Sequence, residues 1–154
     1  MTEDRAVFHG TAAAGITGIA AATPHETVQA SSAEEVPAAV TRGLGMLNDA
    51  GVAGPYALAL GSQAWEAVLE SAEHGGYPIL KHLRLLVDGP VVWSPGLQGG
   101  LLLSQRGGDF EIVGGQDWSI GYRDHDADSV TLYLEESFTF VVNTPEAAVA
   151  LGLT

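Results

Sequence analysis

Apolar and polar residues alternate along positions 130–142, near the end of the chain. A period of two predicts a β-strand with one apolar face and one polar face. At about 3.3 Å per residue this strand would be roughly 40 Å long, which is unusual in a small domain. We therefore expect it to lie in a long sheet that another element pairs with or covers. The apolar positions form two blocks: Val130, Leu132 and Leu134, then Phe138, Phe140 and Val142.

Three earlier segments carry apolar residues at the spacing of an amphipathic helix. The first begins beside Ser32 and Glu35, a capping-box pattern, and ends at Gly51. Ser62 can cap the second, and Pro78 suits the first position of the third. The apolar positions are Val36, Val40, Leu44 and Leu47, then Trp65, Val68 and Leu69, then Ile79, Leu83, Leu86 and Val87.

Short apolar runs bounded by glycine, proline and polar residues predict buried strands at 56–60, 91–93 and 101–103. Gly107 and Gly108 predict a hairpin turn between strands 101–105 and 110–113. Glycines interrupt any helix within residues 3–22, positions 23–32 are typical of a polar turn, and 144–146 predict a short final helix or turn. This combination of predicted helices and strands indicates an α+β fold, with helices packed against a mixed or antiparallel sheet.

Composition narrows the functional classes. The chain has 154 residues, 46% of them hydrophobic, which suffices for one domain with a real core. A net charge of −13, with Lys81 as the only lysine, argues against a nucleic-acid surface, because phosphate contacts need clustered cations.

The sequence contains no continuous apolar run of about 18 residues, so no membrane span is predicted. Glu3 and Asp4 replace the positive start of a signal peptide, and no cysteine is present. We expect a cytoplasmic protein.

An acidic segment near the end has the spacing of a calcium-binding loop. Asp124, Asp126, Asp128 and Glu135 occupy its first, third, fifth and twelfth places, but Ser129 stands where the loop needs glycine. An acidic turn between strands is the expected structure.

Signals for catalysis are weak elsewhere. No nucleophile elbow, no pair of histidines at ligand spacing and no phosphate-binding glycine loop occurs. The sequence therefore predicts no enzyme, no cofactor and no metal site. The alternative is a metal-dependent small-molecule enzyme that uses Asp124, Asp126, His125 or the loop around His74.

Four segments follow one another along the chain: EDRAVFHG…AAGITGI, AGVAGPYALALG, GYPILKHLRLLVDGPVVWSPGL and RGGDFEIVGGQDWSIGYRDHDADSVTLYLEESFTFVVNTPEAAV. Together they resemble the encapsulins, bacterial nanocompartment shell proteins with the fold of tailed-phage major capsid proteins. The resemblance covers nearly the whole chain. It corresponds to the second part of an encapsulin, which carries a further N-terminal part before the first segment.

The resemblance implies a tailed-phage capsid-like α+β fold with an axial domain and the C-terminal part of a peripheral domain. Residues 1–22 would be a truncated peripheral-domain remnant and connection, 23–105 the axial domain, and 106–154 the C-terminal peripheral-domain strands. The implied function is that of a self-assembling structural shell protein. Here it would be a C-terminal fragment or split half that needs the N-terminal part to complete an icosahedral cage. The alternative is an autonomous axial-domain fragment that is monomeric or pentameric and forms no shell.

The resemblance also implies a pore. The segment before the GYP turn would line an opening at the five-fold axis, where copies of one loop converge. A ring of Glu73 and His74 would concentrate cations and respond to pH near neutrality. The implied pore residues are Glu70, Ser71, Ala72, Glu73, His74, Gly75, Gly76 and Tyr77.

Two interpretations of Trp118 stay open. In the first it is a core residue that shares one strand face with Ile120 and Tyr122, the default for an aromatic residue in a strand. In the second, implied by the resemblance, Asp117, Trp118 and Ile120 lie near the luminal groove that takes the C-terminal targeting peptide of a cargo protein. The implied partners are copies of the chain, a complementary encapsulin N-terminal fragment and, in a shell, that cargo peptide. Neither nucleic acid nor a membrane is expected, and the implied location is the shell of a bacterial cytoplasmic nanocompartment.

Overall fold

The computed structural model describes residues 2–71 and 77–153. These residues form five α-helices and seven β-strands, with 3-10 turns at Ala12–Ala14, Ala33–Glu35 and Pro145–Ala147. The helices are α1 (Thr2–His9), α2 (Ile19–Ala22), α3 (Val36–Asp49), α4 (Ser62–Glu70) and α5 (Ile79–Val87). The strands are β1 (Val28–Ala30), β2 (Tyr56–Leu60), β3 (Val91–Trp93), β4 (Gly100–Ser104), β5 (Phe110–His125), β6 (Val130–Val142) and β7 (Ala148–Leu153).

Five strands form a mixed sheet in the order β1-β7-β4-β2-β3. Strand β4 is antiparallel to both β2 and β7, whereas β1 is parallel to β7 and β3 is parallel to β2. Strands β1 and β7 were not predicted, and 23–32 is therefore not entirely a polar turn. Their short runs become strands because β7 is inserted between β1 and β4, which pair with it on both sides.

The two faces of this sheet support two apolar clusters. Leu58, Leu102 and Val149 point to the cluster under α3, α4 and α5, where each is fully buried. Full burial of such a side chain contributes about 1.5–3 kcal/mol. Ala59, Leu101 and Ala148, each one position away, belong to the second cluster, as the period of two requires. The predicted positions Val36, Val40 and Leu47 of α3, Val68 of α4, and Ile79, Leu83 and Val87 of α5 are buried.

The helix ends agree with the sequence only in part. Helix α3 stops before Gly51, which has a positive φ of 72°, as predicted. Ser62 is not the cap of α4: Gly61 precedes the helix, and the Ser62 hydroxyl accepts a hydrogen bond from Trp93 Nε1 at 3.1 Å. The predicted capping box is also incomplete, because the Glu35 carboxylate accepts from the backbone nitrogen of Ser31 at 2.8 Å.

Helix α1 was not expected, since glycines were predicted to interrupt any helix in this region. Its eight residues all precede Gly10, the first of these glycines, which ends the helix with a φ of 82°. Val7 and Phe8 of α1 pack on the second cluster with Ile16 and Ile19. The glycines therefore position the helix end instead of preventing the helix.

The remaining strands form a separate antiparallel ribbon of β5 and β6. The long strand predicted at 130–142 is confirmed. The predicted hairpin between strands 101–105 and 110–113 is wrong, because β4 pairs with β2 and β7 and β5 pairs with β6. Gly107 and Gly108, with φ of 89° and 83°, instead carry the chain from the sheet to the ribbon. Residues 106–154 contribute to both, since β7 returns to the five-stranded sheet.

Candidate assembly surface

One face of the ribbon continues from the protein core into solvent. Phe140 is 6% exposed and packs in the second cluster, where Phe138 contacts it. Leu132 and Leu134, at alternate positions farther along β6, are 58% and 65% exposed. The even-numbered residues of β6 share a face, so Phe138 and Phe140 at its base lie on the same side as Leu132 and Leu134, with Glu136 between the two pairs.

Strand β5 adds further apolar residues to the bare region. Ile120 lies opposite Leu134, and Tyr122 lies opposite Leu132. Residues directly opposite each other in an antiparallel pair point to the same side. Ile120 is 70% exposed and Tyr122 is 58% exposed. We call the surface formed by Ile120, Tyr122, Leu132 and Leu134 the ribbon face.

The prediction that Trp118 is a core residue is wrong. Its side chain is 61% exposed on β5, and Ile120 and Tyr122 are exposed as well. A strand pattern predicts an apolar face, but a two-stranded ribbon is marginally stable unless another element covers that face. Contiguous apolar surface of this kind is typical of a contact site.

The opposite face of the ribbon is mainly polar, and it contains one close packing contact. Gly121 lies opposite Tyr133, and a Cβ atom at Gly121 would overlap the Tyr133 ring. The register shifts between Gly114 and Gln116, between Gln116 and Ser119, and between Tyr122 and Asp124 are bulges on β5. Such bulges increase the twist of a ribbon.

The tip of the ribbon is the acidic turn that the sequence predicts. Asp126 Oδ1 accepts hydrogen bonds from the backbone nitrogens of Asp128 and Ser129, at 2.9 and 2.8 Å. These bonds, that of Asp128 first, hold the pKa of Asp126 below its usual value. The Tyr122 hydroxyl forms a short hydrogen bond with His125 Nδ1. Asp126 therefore stabilises the turn itself.

Metal ligands do not assemble in the described ranges. Within residues 2–71 and 77–153, no group of three or more His, Cys, Asp or Glu side chains could hold an ion. Glu135, the last member of the calcium-loop pattern, lies within β6 opposite Ser119. In these same ranges, no helix has the length and apolar character needed to cross a membrane.

The base of the ribbon is fixed by Asp109. Its carbonyl oxygen accepts hydrogen bonds from the backbone nitrogens of Asn143 and Thr144, at 2.8 and 3.1 Å. Asp109 precedes β5, and Asn143 follows β6. The bonds therefore join the entry and the exit of the ribbon.

Three carboxyl groups meet beside the middle of the ribbon. The pKa of Glu136 is raised, chiefly by a hydrogen bond with Glu3 of α1 and further by desolvation and by the negative charges of Glu3 and Asp117. A proton is therefore held more readily here than on an isolated carboxylate. Asp117, predicted for the cargo groove, belongs to this acidic region.

The structure places the predicted site residues in two regions. Asp117, Trp118 and Ile120 lie on β5, and Ile120 is part of the ribbon face. Glu70 is the last residue of α4, Ser71 follows it, and Tyr77 precedes α5 and is 45% exposed. The other predicted pore residues, Ala72, Glu73, His74, Gly75 and Gly76, lie outside the described residues.

The sequence did not single out Tyr122, Leu132 and Leu134 as an exposed contact site. Their alternation was visible and predicted an apolar face. Whether such a face is core or contact surface depends on the elements that cover it, and alternation carries no information about those.

Residues 1–139 match the family model described as "Encapsulating protein for peroxidase". The type 1 encapsulin shell protein of Rhodospirillum rubrum is 53% identical over 152 residues, which are 98% of this chain and 54% of that protein. The type 1 encapsulin shell protein of Rhodococcus erythropolis is 47% identical over 153 residues, 99% of this chain and 58% of that protein. The chain thus spans little more than half the length of these curated relatives.

Two solved structures share the fold. A virus-like particle from Pyrococcus furiosus gives a TM-score of 0.62 at 19% identity, covering 80% of this chain and 55% of that one. The capsid of an empty GTA particle gives 0.62 at 13% identity, covering 99% of this chain and 62% of that one. The expected tailed-phage capsid-like α+β fold is confirmed.

Proposed function

Because the chain belongs to the encapsulin family, we propose that it is a structural, self-assembling part of a protein shell. The observation that carries this proposal is the ribbon face, where four large apolar side chains are 58–70% exposed. Removing apolar surface from water is worth about 25 cal/mol per Å². Covering this face with another shell segment is therefore a strong driving force for assembly. The matched relatives are named as shell proteins.

The cover for the ribbon face is proposed to be the part of a shell subunit that the relatives have in addition. The chain spans 54% and 58% of two of them, so a further segment of comparable size exists in those proteins. Supplied on the same polypeptide or on a separate one, that complementary N-terminal part would complete the subunit and allow an icosahedral cage to close.

Mass photometry tests this proposal. The chain is measured alone and after mixing with the complementary N-terminal part of the Rhodospirillum rubrum shell protein. Large particles of uniform mass are expected in the mixture. Small species in both samples would contradict the proposal and support the alternative, an autonomous unit that is monomeric or pentameric and forms no shell.

A cargo site is proposed at Asp117, Trp118 and Ile120. Trp118 is 61% exposed and would contact the apolar side chains of a targeting peptide, with Asp117 and Ile120 on the same strand at the border of the site. Fluorescence anisotropy of a labelled cargo C-terminal peptide with assembled particles measures this. Trp118→Ala should weaken peptide binding, whereas Thr139→Ala should not, because Thr139 lies on the opposite, mainly polar face of the ribbon. Equal binding by both variants would contradict the site.

A pore is proposed for the segment from Glu70 to Tyr77. A closed shell would bring copies of Glu73 and His74 together, and repeated carboxylates attract cations. The test measures entry of Tb³⁺ into assembled particles that contain a luminescent chelator. Glu73→Gln should slow entry relative to Glu26→Gln, a control at an exposed glutamate outside this segment, and equal rates would exclude the pore.

A further inference from the structure

The outer face of α5 combines apolar and positively charged side chains. Leu85 is 74% exposed, and Tyr77, eight residues earlier, is 45% exposed. Lys81 and Arg84 are exposed between them, at the three- and four-residue spacing that places side chains on one helix face. They are two of only six Lys and Arg residues in a chain with a net charge of −13. Nothing in the described part of the chain pairs with Lys81 or Arg84.

The outer face of α4 has the opposite character. A cavity of about 90 Å³ opens beside it, lined by Ala64 and Ala67 of α4 and by Ala33 and Val36. This is about three times the share of one liquid water molecule, about 30 Å³. Most of the lining residues are apolar, Ser32 and Gln63 being the polar ones, and the cavity is large enough to hold one aliphatic side chain.

Three exposed glutamates lie close in sequence to the residues that line this cavity. Glu66 and Glu70 are exposed on α4, one position before and three positions after the lining residue Ala67. Glu34 is exposed and follows the lining residue Ala33. The α4 face thus offers an apolar cavity with a negative border, and the α5 face offers an exposed leucine beside two cations.

We propose that the α5 face of one copy docks on the α4 face of a second copy. Leu85 enters the cavity, while Lys81 and Arg84 approach Glu66 and Glu70 of the neighbouring copy. The two surfaces differ, so the contact is heterologous: each copy uses its α5 face on one neighbour and its α4 face on the other. Such contacts close into rings when the rotation between copies permits it.

This inference rests on the proposed function, since a shell requires contacts between copies. The α4–α5 contact joins two copies of this chain, whereas the ribbon face is proposed to be covered by the N-terminal part of a shell subunit. Charge complementarity favours an α5 face against an α4 face, because two α4 faces in contact would place carboxylates against carboxylates. The contact should weaken with salt, because the Debye length shortens from about 10 Å at 0.1 M to about 3 Å at 1 M.

The absence of cysteine from the chain allows a direct crosslinking test. Two single variants, Ala67→Cys and Leu85→Cys, are mixed under mild oxidation, with one of them carrying a mass tag. The expected result is a mixed disulfide that exceeds either homodimer at least several-fold. Ala38→Cys, an exposed alanine on α3, is the matched control and should link to Leu85→Cys only at background level.

A charge exchange provides the second test, measured by sedimentation velocity on the chain alone and by mass photometry with the complementary N-terminal part. The double variants K81E/R84E and E66K/E70K should each lose association. The fourfold variant that combines them should recover it, because the complementary charges are then exchanged between the faces.

The outcomes separate this inference from the proposed function. Particles that form without the mixed disulfide would overturn the α4–α5 contact and leave the shell proposal standing. A mixed disulfide in the chain alone, without particles in the mixture, would support the contact and contradict the shell. Predominant Leu85→Cys homodimers, or a fourfold variant that stays dissociated, would also overturn the contact.

Discussion

The carboxylate of Asp109 accepts hydrogen bonds from two nitrogen atoms of Arg106, from Nε at 3.0 Å and from Nη2 at 2.8 Å. Asp109 is 3% exposed, and the hydrogen bond from Arg106 is the main reason that the pKa of Asp109 lies below its usual value. The carbonyl oxygen of Asp109 accepts hydrogen bonds from the backbone nitrogens of Asn143 and Thr144. Asp109 therefore links the entry and the exit of the ribbon to Arg106, in the segment that leads from the sheet to the ribbon.

Asp109→Asn should lower the free energy of unfolding by about 1–3 kcal/mol, because Arg106 loses a charged, nearly buried hydrogen-bond acceptor. The contribution has a defined pH dependence. Since the folded pKa is below the reference value of 3.8, the stabilisation is present above that value and disappears as the pH falls through the folded pKa. Urea unfolding followed by circular dichroism at pH 7 and below pH 3.8 measures both effects.

The matched control for Asp109 is Glu111→Gln, an exposed carboxylate two residues away on the same strand. It should leave the free energy of unfolding at pH 7 unchanged within error. Equal stability losses in the two variants would mean that the Arg106 pair contributes nothing specific.

Gly121 and Tyr133 should be energetically coupled. Replacing a glycine within a strand normally increases stability, because glycine loses the most conformational freedom on folding. In this chain the new Cβ of Gly121→Ala would displace the Tyr133 ring. We expect Gly121→Ala to stabilise the Tyr133→Ala background but not the wild type, with a coupling energy of about 0.5–1 kcal/mol.

A double-mutant cycle of Gly121→Ala and Tyr133→Ala in urea provides this measurement. Changes that add without a coupling term would show that the ring does not pack on Gly121 in solution.

Polar substitutions on the ribbon face should separate assembly from folding. Leu132→Thr with Leu134→Thr keeps residues that favour strands but removes much of the apolar surface. Both leucines are more than half exposed, so thermal unfolding of the chain alone should change little. Particle formation with the complementary N-terminal part should fall at least tenfold by mass photometry.

The control for the ribbon face is Thr131→Ala with Glu135→Ala, on the opposite side of the same strand. Particles should form normally from it. Loss of particles in both double variants would attribute the effect to the strand as a whole.

Glu136→Gln should stabilise the chain at neutral pH. The folded pKa of Glu136 is raised above the reference value of 4.5, so its interaction with Glu3 is favourable at low pH and is lost as the pH rises through the folded pKa. Glutamine removes the repulsion between the carboxylates. The melting temperature of the variant should exceed that of the wild type at pH 7, and the difference should shrink as the pH falls towards 4.5.

Melting curves from pH 4 to pH 8 test this prediction, with Glu135→Gln, on the opposite face of the same strand, as the control that should not raise the melting temperature at pH 7. A difference between Glu136→Gln and the wild type that does not vary with pH would exclude carboxylate repulsion at Glu136 as its cause.

The amphipathic helices α3 and α5, the buried strand β2 and the long strand β6 could be identified from the sequence alone. Each has a local signal: apolar residues at a period of 3.6 or two, bounded by residues such as Gly51 and Pro78 that end or begin a helix. The resemblance to the encapsulins was also visible in the sequence, because it depends on the order of motifs.

Only the tertiary structure decided which strands pair and which apolar residues are covered. Strand β7 becomes an interior strand because β1 and β4, distant in sequence, supply hydrogen bonds on both of its sides. Strand β5 leaves β4 because the turn held by Asp109 redirects it towards β6. Trp118 and Leu134 have the local pattern of core residues, yet they are exposed because no described element covers them. Local sequence fixes the periodicity of a strand, whereas burial is a property of its neighbours.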